Sequence, residues 1–353
     1  MPASEQRFEA AAITAFIGRV LGALDMADED AATVADLMVR SDLAGASGHG
    51  VFRLPQYVRR IRAHGINVTP NIRVVRDAGA SALVDGDNGM GHLVLARAAQ
   101  LAMDKADAHG IGWVGVRMSN HAGAASVYAR MPLTRNQIGL YSAVGSANHL
   151  PPWGGLDMLL STNPIAIAVP AHEEPPIVLD MATTVAAYGK VKTAAQRGET
   201  MPEGWMIDRE GRPLTDPRRA DEGFLLPIGG YKGFGLALML GLLAGTLNGA
   251  AMGRDVVDFN ADDTTVTNTG QFIAAISMQA FGDVDQLRRE VDALARSLRA
   301  SQRMPGVEAI RLPGDGSHAT RERYLRDGIP LHPVLIRDLA ALADGLGVAP
   351  LGE

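Results

Sequence analysis

The stretch GDNGMGHLVLARAAQLAMDKADAHGIGWVGVRM, residues 86–118, decides the fold class. From His92 its apolar residues recur at helical spacing, and Gly110 closes the helix. IGWVGVRM then reads as a strand. A glycine-rich turn beside a helix and a strand invites comparison with a dinucleotide fold. That fold needs GxGxxG between a strand and a helix, so that backbone can approach a pyrophosphate. Gly86, Gly89 and Gly91 stand at other spacings, no segment supplies the pattern between a strand and a helix, and Walker A is absent.

Outward from this unit, residues 5–44 read as two helices. The second carries Val34, Leu37 and Met38 at helical spacing, with Asp28 or Asp30 placed to cap its start. VFRLPQYVRRIRAHG (51–65) holds a short helix ended by Gly65, and residues 66–89 are extended and hairpin-like. After SNHAG (119–123), ASVYARMPL predicts another helix, and QIGLYSAV and NPIAIAVP two strands. IVLDMATTVAAYGKVKTAAQ (177–196) reads as a strand entering a helix at Asp180–Thr184, and WMIDREGRPL (205–214) as a small hairpin. QFIAAISM is a buried strand, 283–300 a charged amphipathic helix, and the tail from 316 two more helices. Strands and helices alternate without regular spacing. The expectation is an α/β fold with a non-Rossmann mixed β-sheet, flanking helices, and helical N- and C-terminal segments.

Composition narrows the function. The 353 residues are 47% hydrophobic, 20% charged and only 5% aromatic, which predicts an aliphatic core. A net charge of −6 with mixed signs leaves no basic footprint for nucleic acid. With no cysteine, disulfides, thiolate metal sites and cysteine nucleophiles are excluded. The acid-bearing start MPASEQRFEAAAITAFIGRV reads as an amphipathic helix rather than a signal peptide, so a cytoplasmic protein is expected. The most apolar run, residues 233–250, approaches membrane-spanning length, but its five glycines favour a buried helix.

The chemistry concentrates in few places. GASGHGVFRLPQYV (45–58) sets His49 between two glycines, Arg53 four positions on and Tyr57 four beyond. If the segment is helical, residues 49, 53 and 57 share one side. An arginine grips a carboxylate with two parallel hydrogen bonds, and an imidazole exchanges a proton with a hydroxyl or carbonyl oxygen. His121, in SNHAG, is the second histidine set among small residues. Against this stands an ordinary reading: loop histidines bonded to nearby carbonyls, and a surface arginine like Arg59, Arg60 and Arg62. GGYKGFGLALML (229–240) offers four glycines, Lys232 and a helix start to an anion; a tight loop with a solvated lysine fits the same residues. Asp180, ending IVLD, suits a histidine partner, a ribose contact or a plain helix cap. HExxH and GxSxG are absent, so metallohydrolase and serine hydrolase readings lack support.

Together these segments resemble the malate/L-lactate dehydrogenase family of the second type, which lacks a Rossmann domain. DLAGASGHGVFRLPQYVRRIRAHGIN, NGMGHLVLARAAQLAMDKADAHGIGWVGVRMSNHAGAA, PPWGG, STNPIAIAVP, VLDMATTVAAYGKV, MPEGWMIDREGRPLTDP, LLPIGGYKGFGLALML and RLPGD are similar to its blocks, in its order, along nearly the whole chain. The resemblance implies NAD- or NADP-dependent interconversion of a small 2-hydroxy acid and its 2-keto acid. The family also includes ureidoglycolate dehydrogenases, diketogulonate reductases and cyclic imino-acid reductases. An imine reductase and a non-catalytic nucleotide-binding homologue are therefore the alternatives.

By the same resemblance His49 and His121 are the proton-transfer candidates, with Arg53, Tyr57 and Ser47 at the substrate. Ser146, Thr162, Asn163, Asp180, Met181, Ala182, Lys232, Gly233, Pro313, Gly314 and Asp315 line the cofactor, and no metal is implied. The implied division is helical segments at 1–70 and 317–353, a central α/β part at 71–125 and 270–316, and an NAD(P)-binding part at 126–269. A homodimer acting on a small acid is expected, with no nucleic-acid or membrane partner. Two positions depart from the family: Gly48 stands where serine usually precedes the first histidine, and Ala122 where phenylalanine usually follows the second. The smaller Ala122 is expected to enlarge the pocket.

Overall fold

The computed structural model describes residues 5–353, apart from the side chains at 193, 196 and 197. A short strand β1 (Gln6–Phe8) precedes α1 (Ala10–Gly22), α2 (Asp28–Leu43) and α3 (Leu54–Arg62). The hairpin β2 (Arg73–Ala78) and β3 (Ser81–Asp85) leads into α4 (Gly91–His109), β4 (Ile111–Ser119) and the single-turn α5 (Ala125–Ala129). Then come β5 (Gln137–Ala143), β6 (Ile165–Val169), β7 (Ile177–Met181), α6 (Tyr188–Arg197), β8 (Met206–Asp208), β9 (Gly223–Leu225) and α7 (Tyr231–Ala244). The chain closes with β10 (Thr269–Ser277), α8 (Val284–Arg299), α9 (Asp315–Asp327), β11 (Ile329–Leu331) and α10 (Pro333–Asp344).

Seven strands form one mixed sheet in the order β2-β3-β4-β10-β5-β6-β7. Only β3 and β4 run parallel, and α4 is the crossover between them. β10 lies between β4 and β5 with both faces buried, as its apolar sequence requires. This is the mixed, non-Rossmann α/β sheet expected from the irregular alternation. Below it, Ile13, Phe16, Ile17 and Val20 of α1 pack with Val34, Ala35 and Met38 of α2 into a helical core that α3 and α10 complete.

The glycines of the opening stretch serve close packing. A Cβ on Gly91 would stand 2.2 Å from the Asn120 carbonyl oxygen, and one on Gly86 2.8 Å from that of Met118. The start of α4 is thereby pressed against the backbone just before His121.

Several local expectations are corrected. The N-cap of α2 is Ala27, with Asp28 and Asp30 inside the first turn, where acids favour the helix dipole. No helix begins at Asp180–Thr184. The Thr183 and Val185 amides bond the carbonyls of Thr162 and Leu226, which keeps the chain extended until Tyr188. The turn at Asp208–Arg212 forms, but β8 pairs mainly with β9, beyond that turn, rather than within its own hairpin. Helix α7 is buried on one side only: Ala237, Leu240 and Ala244 are covered, while Tyr231, Met239 and Leu242 leave the other apolar side uncovered. Among the described residues, no helix is long and apolar enough to cross a membrane.

Candidate active site

The end of β4 is where the site begins. Met118 adopts a left-handed conformation (φ 50°), which costs a residue with a Cβ about 1–2 kcal/mol. The Asn268 side chain accepts its N–H at 2.8 Å, and its carbonyl accepts the Asn88 N–H at 2.8 Å. Ser119 is the last paired residue of β4, opposite Thr269, and beyond it Asn120 and His121 leave the sheet. Asn120, fully buried, donates to Asn88 and Gly89 and accepts from Thr267, so the residue before His121 is locked.

His121 meets Tyr57 of α3, whose hydroxyl lies 2.7 Å from His121 Nδ1. The Gly123 backbone N–H, which can only donate, also points at Nδ1 from 3.4 Å. Nδ1 is therefore an acceptor in the resting site, and the neutral ring carries its proton on Nε2. His49 stacks on this ring with centroids 5.5 Å apart and planes 14° apart, while Phe259 stacks at 5.2 Å.

Residues 49, 53 and 57 converge by a different path from the single helix expected. Gly50 interrupts two short 3₁₀ turns, Ser47–His49 and Val51–Arg53, and the α-helix starts only at Leu54. Within this turn Arg53 donates from Nε to the Gly48 carbonyl at 2.9 Å and from Nη1 to Asn260 Oδ1 at 2.8 Å. Guanidinium has five N–H donors, so its remaining terminal donors can receive a carboxylate. Ser47 is exposed, and a side chain on Gly48 would meet nothing within 4 Å. Ala122 is buried and belongs to the core cluster that also holds Val127 and Tyr128.

Electrostatics favour neutral rings. Burial, then Arg53, push His49 down to about 4, against a smaller opposing pull from Asp180. Burial, Arg53 and the two neighbouring histidines hold His121 well below the usual imidazole range. The third histidine, His92, escaped the sequence reading because it looked like an ordinary first-turn helix residue. It is fully buried edge-on to Tyr57, neither ring nitrogen has a partner among the described residues, and burial pushes it down to about 3.

Asp42 was also missed. Buried at the end of α2, it accepts the Val51 N–H at 2.8 Å and so pins the loop bearing His49 and Arg53. A Cβ on Gly50 would stand 2.0 Å from its Oδ1, which explains that glycine. Burial raises the carboxyl from 3.8 to about 7. Because the folded value lies above the unfolded one, its stabilising contribution is complete below about pH 3.8 and is lost as pH rises through about 7. Asp42→Asn keeps the acceptor without the charge. It is expected to raise Tm by about 2–4 °C at pH 8 and to give no gain at pH 4; equal shifts at both pH values in thermal melts would contradict a buried charge.

With this geometry in view, the comparisons with known proteins are direct. A malate/L-lactate dehydrogenase family model matches residues 8–340. The chain belongs to that family. It is 37% identical over 344 residues to malate dehydrogenase of Pyrococcus horikoshii, covering 95% of this chain and 94% of that protein. Sulfolactate dehydrogenase from Methanocaldococcus jannaschii superposes with a TM-score of 0.91 at 33% identity, over 97% and 98% of the two chains. Delta1-piperideine-2-carboxylate reductase from Pseudomonas syringae gives a TM-score of 0.84 at 29% identity, over 96% and 100%.

Most of the family-implied cofactor residues fall into two groups. At the start of α7, Gly229 and Gly230 take left-handed φ of 57° and 65° before an N-terminus with no side-chain cap. A Cβ on Gly229 would face open space, and Lys232 is exposed there. Such a cradle fits the phosphates of a dinucleotide. Gly233 is needed sterically, since its Cβ would stand 2.1 Å from the Ile228 carbonyl oxygen. The second group lies at β7. Asp180 Oδ2 accepts the Ser126 N–H at 2.8 Å and so caps α5, while Met181 and Ala182, half-buried, continue from it. The Pro313 carbonyl accepts the Val178 N–H at 2.9 Å, Gly314 turns at φ 97°, and Asp315 pairs with Arg299 at 2.7 Å. Asn163 is fully buried, accepting from Gly145 N–H and donating to the Ala237 carbonyl, so its amide is spent on the fold. The Thr162 carbonyl accepts two bonds from Thr183, and the Ser146 carbonyl accepts the Phe259 N–H at 2.9 Å.

Proposed function

We propose that this protein is a nicotinamide-dependent oxidoreductase interconverting a small 2-hydroxy acid and its 2-keto acid, with NAD or NADP as carrier. The observation that supports it most is the hydrogen bond between Tyr57 and His121 Nδ1, which leaves Nε2 as the proton-bearing atom in a site that also holds Arg53. The names of the relatives, malate, sulfolactate and L-lactate dehydrogenases, favour the same substrate class.

On this reading Arg53 receives the substrate carboxylate through its free terminal donors. After burial, the Arg53 charge is the largest cause that depresses His121; the bound acid cancels that charge and so raises the proton affinity of the imidazole in the complex. Its Nε2–H then lies on the C2 oxygen and moves to that oxygen as C2 is reduced. In oxidation the hydroxyl proton returns to Nε2, and the Tyr57 hydroxyl, able to donate or accept, follows the change at Nδ1. The nicotinamide, when bound, supplies or accepts the hydride. Lys232 and the amides opening α7 would hold the phosphates of such a cofactor, and the Asp180 region with the Pro313–Asp315 turn would border the rest. The uncovered side of α7 serves as the contact with a second copy of the chain, which a solution mass near twice 37.2 kDa would support.

The test is NADH and NADPH oxidation with pyruvate, oxaloacetate, sulfopyruvate and piperideine-2-carboxylate. Turnover of a keto acid is expected. Turnover of the cyclic imine alone would move the reaction to a C=N bond. Cofactor binding with no turnover of any of these would favour a non-catalytic nucleotide-binding protein.

A further inference from the structure

The loop at 258–265, between α7 and β10, touches both reactive groups, and nothing in the sequence singled it out. Helix α3 holds it. Gln56 Nε2 donates to the Phe259 carbonyl at 2.9 Å and to Asp263 Oδ1 at 3.0 Å. Arg60, with no exposed surface, donates to the Thr265 carbonyl at 2.7 Å and to that of Asp262, and its guanidinium lies 5.0 Å from the Phe259 ring centroid. A buried cation bonded to backbone carbonyls makes a rigid anchor, because losing any partner leaves the charge uncompensated.

Two residues of the loop point back to the site. The Phe259 ring stacks on His121 and meets Tyr57 edge-on at 5.7 Å. Asn260 Oδ1 accepts from Arg53, while its backbone N–H and its Nδ2 both donate to Asp258 Oδ1, at 2.8 and 3.2 Å. A carboxylate only accepts, so Asp258 turns the amide NH₂ toward itself and the amide oxygen toward Arg53.

We propose that Phe259 and Asn260 are positioning residues of this site: Asn260 orients Arg53 for the substrate carboxylate, and Phe259 holds His121 in its plane and away from water. The inference rests on the reading of Arg53 and His121 given above. The other groups facing His121 are His49 and Arg53 from the two 3₁₀ turns, Tyr57 from α3, and His92 from α4; Asp180 of β7 faces His49. Replacing the Phe259 ring therefore changes solvent access at His121 and leaves those charges in place.

The full-length protein is tested with Asn260→Ala and Phe259→Leu, each checked by thermal melting. Asn260→Ala, at a half-exposed position that tolerates truncation, is expected to raise KM for the 2-keto acid about 10-fold with kcat within about 3-fold, the pattern of lost uniform binding. Oxalate, as a non-reacting probe, should bind about 10-fold more weakly by calorimetry. Phe259→Leu keeps an apolar side chain and removes the stacked ring. In ¹⁵N imidazole spectra the titration of His121 should move up by about one unit or more, and the acid limb of the pH–rate profile with it. Unchanged KM and oxalate affinity in Asn260→Ala would overturn the role of Asn260; an unmoved His121 titration would overturn that of Phe259. If the wild-type protein binds no oxalate and reduces no keto acid, the functional reading fails, while the His121 titration in Phe259→Leu still decides whether the loop positions that ring.

Discussion

His121→Gln is expected to lower kcat by about 10²- to 10⁴-fold, the range over which a positioned acid–base group contributes. Glutamine fills similar space and still reaches the Tyr57 hydroxyl, so the site should stay assembled; it does not titrate, so no proton reaches the C2 oxygen. KM should change far less than kcat, because the Arg53 clamp is untouched. The imidazole limb of the pH–rate profile should also disappear. His49→Gln is the comparison. His49 stacks on His121, but neither Tyr57 nor Gly123 bonds its ring nitrogens. Its replacement should cost less, and a larger loss in His49→Gln than in His121→Gln would transfer the proton role to His49.

Arg53→Met removes the cation that both histidines feel and the donors intended for the substrate acid. Truncating one partner of a buried charge pair costs about 2–5 kcal/mol, so kcat/KM for a 2-keto acid should fall about 30- to 3,000-fold, mostly through KM. The same change has a sign that a purely structural arginine would not produce. Arg53 is the second cause, after burial, of the depression of His49 and His121, so its removal should shift both titrations upward. Ligand-free imidazole spectra measure that shift separately from turnover. Substrate affinity unchanged in Arg53→Met would remove the clamp from the mechanism.

Much of the site was legible because its carriers are local patterns. His49 and His121 stand among small residues at breaks between elements, Arg53 follows His49 by four positions, and glycine leaves backbone accessible wherever it falls. The path by which residues 49, 53 and 57 meet was not legible, since Gly50 (ψ −138°) breaks the helix that their spacing implies. Phe259 and Asn260 carried no signal at all. Each looks like an ordinary loop residue until Gln56 and Arg60, about 200 positions earlier, close on the backbone around them. Asp42 was hidden for a related reason: an acid in a helix reads as solvent-facing until the 3₁₀ turn folds over it.

What the sequence determined alone was the kind of most of the long elements and the exclusion of a Rossmann unit, because apolar period and glycine spacing act within a few residues. The order of strands was decided in three dimensions. β10 inserts between β4 and β5, more than 120 residues after the strands it joins, and the loop leading into it brings Phe259 and Asn260 against α3. Such contacts depend on which buried surfaces fit together across the whole chain, and no local window contains that information.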